Sequence, residues 1–294
     1  MTNFTGTGVA LITPFKADLS IDFDALKKLV EHNIANGTEY LVISGTTGES
    51  VTVSIDEKNE LVKFIAKVNN GRLPLVLGIG GNNTKAIINE ITTSDLSAID
   101  AILSVSPYYS KPTQEGIYEH FKAISKASPK PIIMYNVPGR TASNMLPQTI
   151  VRLANDFDNI IAVKEAAGKM SQYLELLRIK PKDFHVISGD DDLALSVTLA
   201  GGSGVISVIG QAISKDFTDM IRLGLAKQPE KAYAIQYSLM PIINLIFSEN
   251  NPSGIKAVLK ALKISESYVR LPLVEATEAL KKNIKEALEI LDKS

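Results

Sequence analysis

Cysteine is absent from the chain. That absence excludes disulfides, thiolate metal sites and cysteine nucleophiles, and is compatible with a reducing compartment. Long apolar runs are missing as well: the longest strongly apolar segment, Leu239 to Phe247, is far too short to cross a bilayer. The start, Met1-Thr2-Asn3-Phe4-Thr5, has no basic stretch followed by an apolar one, so no signal peptide is read there. Charge of one sign is nowhere concentrated. The 31 basic and 32 acidic residues leave a net charge of −1 and a pI near 6.3, with no Lys/Arg block able to track a phosphate backbone. Histidine is scarce; His32, His120 and His185 are scattered without ligand spacing and read as structural or solvated. No G-x-S-x-G elbow marks a serine nucleophile. Together these absences predict a soluble cytoplasmic protein that partners neither nucleic acid nor membrane.

What the sequence does hold is alternation. With 294 residues and 45% hydrophobic content it can bury a large core. Eight short β-branched or apolar runs recur at Val9 to Thr13, Tyr40 to Ser44, Leu75 to Ile79, Ala101 to Val105, Ile132 to Asn136, Ile160 to Lys164, His185 to Ser188 and Gly204 to Val208. Segments of helical periodicity lie between them, over Phe23 to Asn36, Ile55 to Val68, Thr84 to Leu96, Gln114 to Lys126, Pro147 to Asn155, Met170 to Ile179 and Asp191 to Ala200. Alternating strands and helices imply parallel strands with right-handed crossovers, and eight such units close into an α/β (β/α)8 TIM barrel, with a doubly wound open sheet as the competing architecture. From about Ser214 the strands stop, and helices broken at Pro229, Pro241, Asn251-Pro252 and Leu271-Pro272 follow through Lys293. The domain reading is a barrel over residues 1–225 and a C-terminal helical extension over 226–294.

One residue is out of place. Lys164 ends the apolar run Ile160-Ile161-Ala162-Val163 and is followed by Glu165-Ala166-Ala167-Gly168. An ammonium removed from water at the mouth of a buried strand has its neutral form favoured, which makes the amine a nucleophile for a ketone carbonyl, as in a Schiff base. A lysine snorkelling to solvent or paired with Glu165 is the plainer alternative. The other odd residues fall after strand ends, where a barrel gathers its chemistry. Gly45-Thr46-Thr47-Gly48-Glu49-Ser50 supplies hydroxyls and backbone N–H groups suited to a carboxylate, or caps a helix. Ser106-Pro107-Tyr108-Tyr109 follows the fourth run. Tyr135-Asn136-Val137-Pro138-Gly139-Arg140-Thr141 aims a phenol into the mouth and presents Arg140, after a Pro-Gly turn, to a second carboxylate. Gly78-Ile79-Gly80-Gly81 lacks the acidic residue of a dinucleotide fingerprint. Asp190-Asp191-Asp192 reads as a turn capping the next helix in preference to a metal site.

These motifs, with Val-Lys-Glu-Ala at 163, Ser-Gly-Asp-Asp at 188 and Gly-Val-Ile-Ser-Val at 204, resemble those of the dihydrodipicolinate synthase family, in the superfamily of the class I pyruvate aldolases and N-acetylneuraminate lyase. The resemblance runs from about Gly8 into the C-terminal helices. It implies a lyase in which Lys164 forms an imine with pyruvate and the enamine attacks L-aspartate 4-semialdehyde, a step of lysine and diaminopimelate biosynthesis. Tyr135, Thr46 and Tyr109 would relay protons, Tyr109 from a neighbouring subunit. Thr47 would hold the pyruvate carboxylate and Arg140 that of the semialdehyde, while the Gly189 and Ile206 backbones line the imine pocket. No metal or organic cofactor is implied. A homotetramer of two tight dimers is, with Tyr108 stacking across the tight interface. Arginine at 140 argues against a pyruvate-dependent aldolase or lyase of sugar acids, and the retained lysine, tyrosine and hydroxyls argue against an inactive scaffold. Feedback-sensitive members bind L-lysine beside the Ser50 turn. This chain keeps Ser50, Asn82 and Tyr108 but carries Ile55 and Ala86 where such members offer histidine and glutamate, and Lys58 is expected to add repulsion, so inhibition by lysine is expected to be weak or absent.

Overall fold

Eight strands alternate with helices because short continuous apolar runs, buried on both faces, give way again and again to segments with a 3.6-residue apolar period. The computed structural model describes residues 4–291. Its strands are β1 (Gly6–Ala10), β2 (Tyr40–Ile43), β3 (Leu75–Gly78), β4 (Ala101–Val105), β5 (Ile132–Asn136), β6 (Ile160–Glu165), β7 (His185–Ser188) and β8 (Gly204–Ser207). All pair in parallel in sequence order, and β1 closes on β8 to complete the barrel. The crossover helices are α1 (Phe23–Ala35), α2 (Ile55–Asn69), α3 (Thr84–Thr93), α4 (Gln114–Ala127), the single turn α5 (Pro138–Thr141), α6 (Pro147–Asp156), α7 (Met170–Ile179) and α8 (Ala194–Leu199), and α9 (Ser214–Leu225) follows the last strand. Then come α10 (Pro229–Ser248), α11 (Ser253–Ala261) and α12 (Glu278–Leu291). No helix among the described residues is long and apolar enough to cross a membrane.

Strand pleating sorts the core into two layers. In β5, Ile133 and Tyr135 join the cluster inside the barrel, while Ile132 and Met134 pack outward against the helices. In β6 the same alternation puts Ala162 inside with Lys164, and Val163 outside with Glu165. Helix starts are fixed by side-chain caps at Asp22, Ser54, Asn83 and Thr113, the Ser54 cap being a reciprocal box with Glu57.

Three elements differ from the sequence reading. The first strand lies at Gly6–Ala10, not Val9 to Thr13. Its glycines are apolar blanks to a periodicity count, yet a Cβ on Gly8 would sit 2.1 Å from the Tyr40 ring, so the close approach of β2 demands glycine. The strand cannot run on, because the Ile12 N–H donates to Gln211 Oε1 at 2.8 Å and Thr13 Oγ1 to the Gly48 carbonyl at 2.7 Å. The helix expected over Asp191 to Ala200 begins only at Ala194, since Asp191 turns inward. Pro241 does not break α10. It lies on the exposed face of that helix, as does Tyr237 one turn earlier, whose carbonyl it leaves without a donor. Helix expected through Lys293 is observed to Leu291; Met1 to Asn3 and residues 292–294 lie outside the described residues.

Candidate active site

The strand ends of the barrel open into a cavity of about 820 Å³, and Lys164 lines it. Register puts Tyr135 beside Lys164, since the two are paired across β5 and β6. Lys164 is only 6% exposed, and its Nζ lies 4.5 Å from the centre of the Tyr135 ring. Across β6 and β7, Lys164 pairs with Ile187. Gly189 follows, and its N–H donates to the Glu165 carbonyl at 2.6 Å. A Cβ at Gly189 would stand 3.0 Å from Lys164 Cε and 2.7 Å from Ala166 Cβ, so glycine there is what leaves the lysine room.

Thr46 and Thr47 reach the same cavity from the turn after β2. That turn closes with Gly48 N–H to Gly45 O and Glu49 N–H to Thr46 O, both at 3.1 Å. Thr47 is buried, and its Oγ1 accepts from Asn251 Nδ2 at 3.0 Å, leaving the hydroxyl proton to be donated elsewhere. Arg140 stands on α5, exposed at the rim, with Nη2 3.5 Å from Asn250 Oδ1. Six of the expected site residues therefore share one cavity: Lys164, Tyr135, Thr46, Thr47, Arg140 and Gly189. Ile206 is packed in the barrel interior and is not among the residues lining the cavity, which Val208 lines instead. Tyr109 does not line it either; it is 91% exposed with φ of +69°, beside the partly exposed Tyr108.

Two expectations require correction. Asp191 does not cap the helix that follows it: its carboxylate accepts from the Val208 and Ile209 N–H groups at 3.1 and 2.9 Å, tying β7 to the loop after β8. Complete burial raises the Asp191 carboxyl to about 6, a rise that these bonds and the Lys164 charge only partly offset. Nor is Lys58 a free repulsive charge, because its ammonium bonds the Glu90 carboxylate and, at 2.6 Å, the Gly78 carbonyl. The expectation of weak inhibition by lysine then rests on Ile55 and Ala86.

Sequence reasoning missed two groups. Asn244, Phe247, Asn250 and Asn251, at the end of α10 and the turn after it, form one wall of the cavity. Behind Lys164, the buried Glu165 carboxylate accepts from Asn136 Nδ2 at 2.9 Å, Gln172 Nε2 at 3.0 Å and Ala167 N–H at 2.9 Å. Burial outweighs these donors and raises Glu165 to about 7. Asp190, also raised by burial, accepts from Tyr173 OH at 2.9 Å and Gly168 N–H at 3.0 Å. The acidic run itself was visible; the amide network and the helical wall were not, because neither follows from local pattern.

A closed (β/α)8 barrel that holds a buried amine against a phenol, at the strand ends and among hydroxyls, defines a class of enzyme equipped to attack a carbonyl covalently. The comparisons specify it further. The model of the dihydrodipicolinate synthetase family matches residues 3–291, and the chain belongs to that family. It is 59% identical over 280 residues to a 4-hydroxy-tetrahydrodipicolinate synthase of Flavobacterium psychrophilum, covering 95% of this chain and 96% of that one. Among solved structures, a chloride-inhibited dihydrodipicolinate synthase from Acinetobacter baumannii complexed with pyruvate superposes with a TM-score of 0.96 at 36% identity, covering 99% of both chains. One from Cyanidioschyzon merolae with lysine bound gives 0.94 at 35% identity over 98% of each.

Proposed function

We propose that the chain condenses pyruvate with L-aspartate 4-semialdehyde to give 4-hydroxy-tetrahydrodipicolinate, working through a Schiff base on Lys164. The observation that carries this reading is the pairing of Lys164 with Tyr135 inside a cavity whose walls also bear Thr47 and Arg140. The Lys164 amine adds to the pyruvate ketone, and the carbinolamine loses water, taking a proton from Tyr135 as the hydroxyl leaves. The Tyr135 oxygen, left without its proton by that step, takes one from the methyl carbon to give the enamine. That carbon bonds the aldehyde carbon of the second substrate, and the resulting alkoxide is protonated through Tyr135 and Thr46. The amine of the second substrate then attacks the imine carbon, closing the ring and returning Lys164. Thr47 donates to the pyruvate carboxylate, and the Arg140 guanidinium takes the carboxylate of the semialdehyde. The Gly189 backbone flanks the imine.

The working unit is a homotetramer in which Tyr109 completes the relay in a neighbouring subunit; its exposed, outward side chain supports that role. The test is an assay with both substrates on protein of known sedimenting mass. Condensation by a tetramer is expected. Cleavage of N-acetylneuraminate at a comparable rate contradicts the substrate assignment, and full activity in a monomer contradicts the shared site.

A further inference from the structure

The turn that carries Thr46 and Thr47 is not held by the barrel alone. It is bracketed by two residues in the left-handed region, Ser44 at φ +56° and Glu49 at φ +55°, a conformation that non-glycine residues keep only when their surroundings impose it. Within the barrel, the turn's outside restraint is Thr13, through Gly48 O. The remaining restraints come from the C-terminal extension, some two hundred residues away: from α11 and the segments on either side of it. Asn251 Nδ2 bonds Thr47 Oγ1. The Glu49 carboxylate is paired with the Lys256 ammonium, both fully buried, and accepts the Arg270 N–H at 2.9 Å. Lys256 also donates to the Tyr268 carbonyl at 2.8 Å and stands 4.2 Å from the centre of the Phe15 ring. Arg270 reaches the far end of the turn, donating to Thr52 O at 2.8 Å and pairing with Glu57.

We propose that Lys256 and Glu49 are positioning residues: their buried ion pair lets the C-terminal helices set the orientation of the Thr46–Thr47 turn, and with it the recognition of the carboxylate on the ketone substrate. A buried ion pair is poor evidence for stability, because well-packed apolar groups often replace one without loss. What this pair supplies is direction. It fixes Glu49, two residues from Thr47, against a helix that touches neither Lys164 nor Tyr135, while Asn251 turns the Thr47 hydroxyl proton toward the cavity. The role is therefore specific to substrates that carry a carboxylate, and a neutral ketone reaching the same lysine does not sense it. The inference rests on the Schiff-base reading of Lys164 given above.

The experiment is borohydride trapping on Lys164 with pyruvate and with acetone, comparing the concentrations needed for half-maximal labelling. Lys256→Met alone strands a buried carboxylate, so the working variant is the double replacement Glu49→Gln with Lys256→Met, which removes both charges and keeps an acceptor for the Arg270 N–H. The expected result is a folded double variant whose preference for pyruvate over acetone falls at least tenfold while acetone labelling is unchanged. An unchanged preference in the folded variant overturns the proposal. Failure of the unaltered protein to be labelled by pyruvate at all is a different outcome, and rejects the Schiff-base reading on which the proposal rests. Should the double variant not fold, the unaltered protein decides. Burial lowers Lys256 to about 8, and the groups facing it are Glu49, Arg270, the Tyr268 carbonyl and the Phe15 ring. Raising the pH from 7 to 10 removes its proton. The pyruvate-to-acetone ratio, read on the same lysine at each pH, is then expected to narrow, and a constant ratio overturns the proposal.

Discussion

Lys164 and Lys256 are both withdrawn from water, at 6% and 0% exposure, yet they end in opposite circumstances. Lys256, on α11, faces a carboxylate and a backbone carbonyl that occupy its ammonium. Lys164, at the end of β6, has a tyrosine ring beside it and open cavity before it, with Asp190 and Asp191 committed to other donors. Burial alone therefore does not make a nucleophile; what sets Lys164 apart is that no carboxylate bonds its amine and that it faces an open cavity. The barrel presents its lysine to the substrate, whereas the helical extension uses its lysine as a strut.

The contrast is most severely tested at Tyr135. Tyr135→Phe keeps the ring against Lys164 and removes the proton carrier, so turnover should fall by roughly 10² to 10⁴. Near-normal turnover would mean that the phenol is only packing. Arg140→Ala comes next. Loss of one charge-assisted contact should lower use of the semialdehyde by roughly tenfold to a hundredfold while pyruvate labelling of Lys164 is unaffected, since Arg140 lies at the rim. An equal fall in both steps would make Arg140 structural.

The smallest effect concerns the acid behind Lys164. Burial lifts Glu165 from 4.5 to about 7, so the folded protein keeps a proton that the unfolded chain loses across that interval. The stability this contributes is complete below pH 4.5 and is lost as the pH rises through 7. Glu165→Gln removes that slope. Between pH 5 and pH 8 the unfolding free energy of the unaltered protein should decline relative to the variant by on the order of 2 kcal/mol. Parallel urea-unfolding curves at the two pH values would show that Glu165 is ionised throughout.

The barrel was legible because each strand-helix unit writes its own period into the sequence, and seven of the eight runs start where the strands do. The eighth, β1, was displaced by Gly6 and Gly8, whose meaning lies in the neighbour they admit. Lys164, Tyr135, Thr46, Thr47, Arg140 and Gly189 were legible because a barrel gathers strand ends at one rim. Asn250 and Asn251 were not, since the Asn251-Pro252 break marks only where a helix stops and says nothing of the return to Thr47. Glu165 was read as a neighbour of Lys164, but the pleat sends it to the other face of β6, where Asn136 and Gln172 receive it. Contacts between residues far apart in sequence leave no local trace.

The difference between the two buried lysines can be read in one reaction: incubation with pyruvate and borohydride, followed by peptide mapping. The account predicts a single reduced pyruvate adduct, on Lys164, with Lys256 unlabelled. An adduct on Lys256, or none on Lys164, would contradict it.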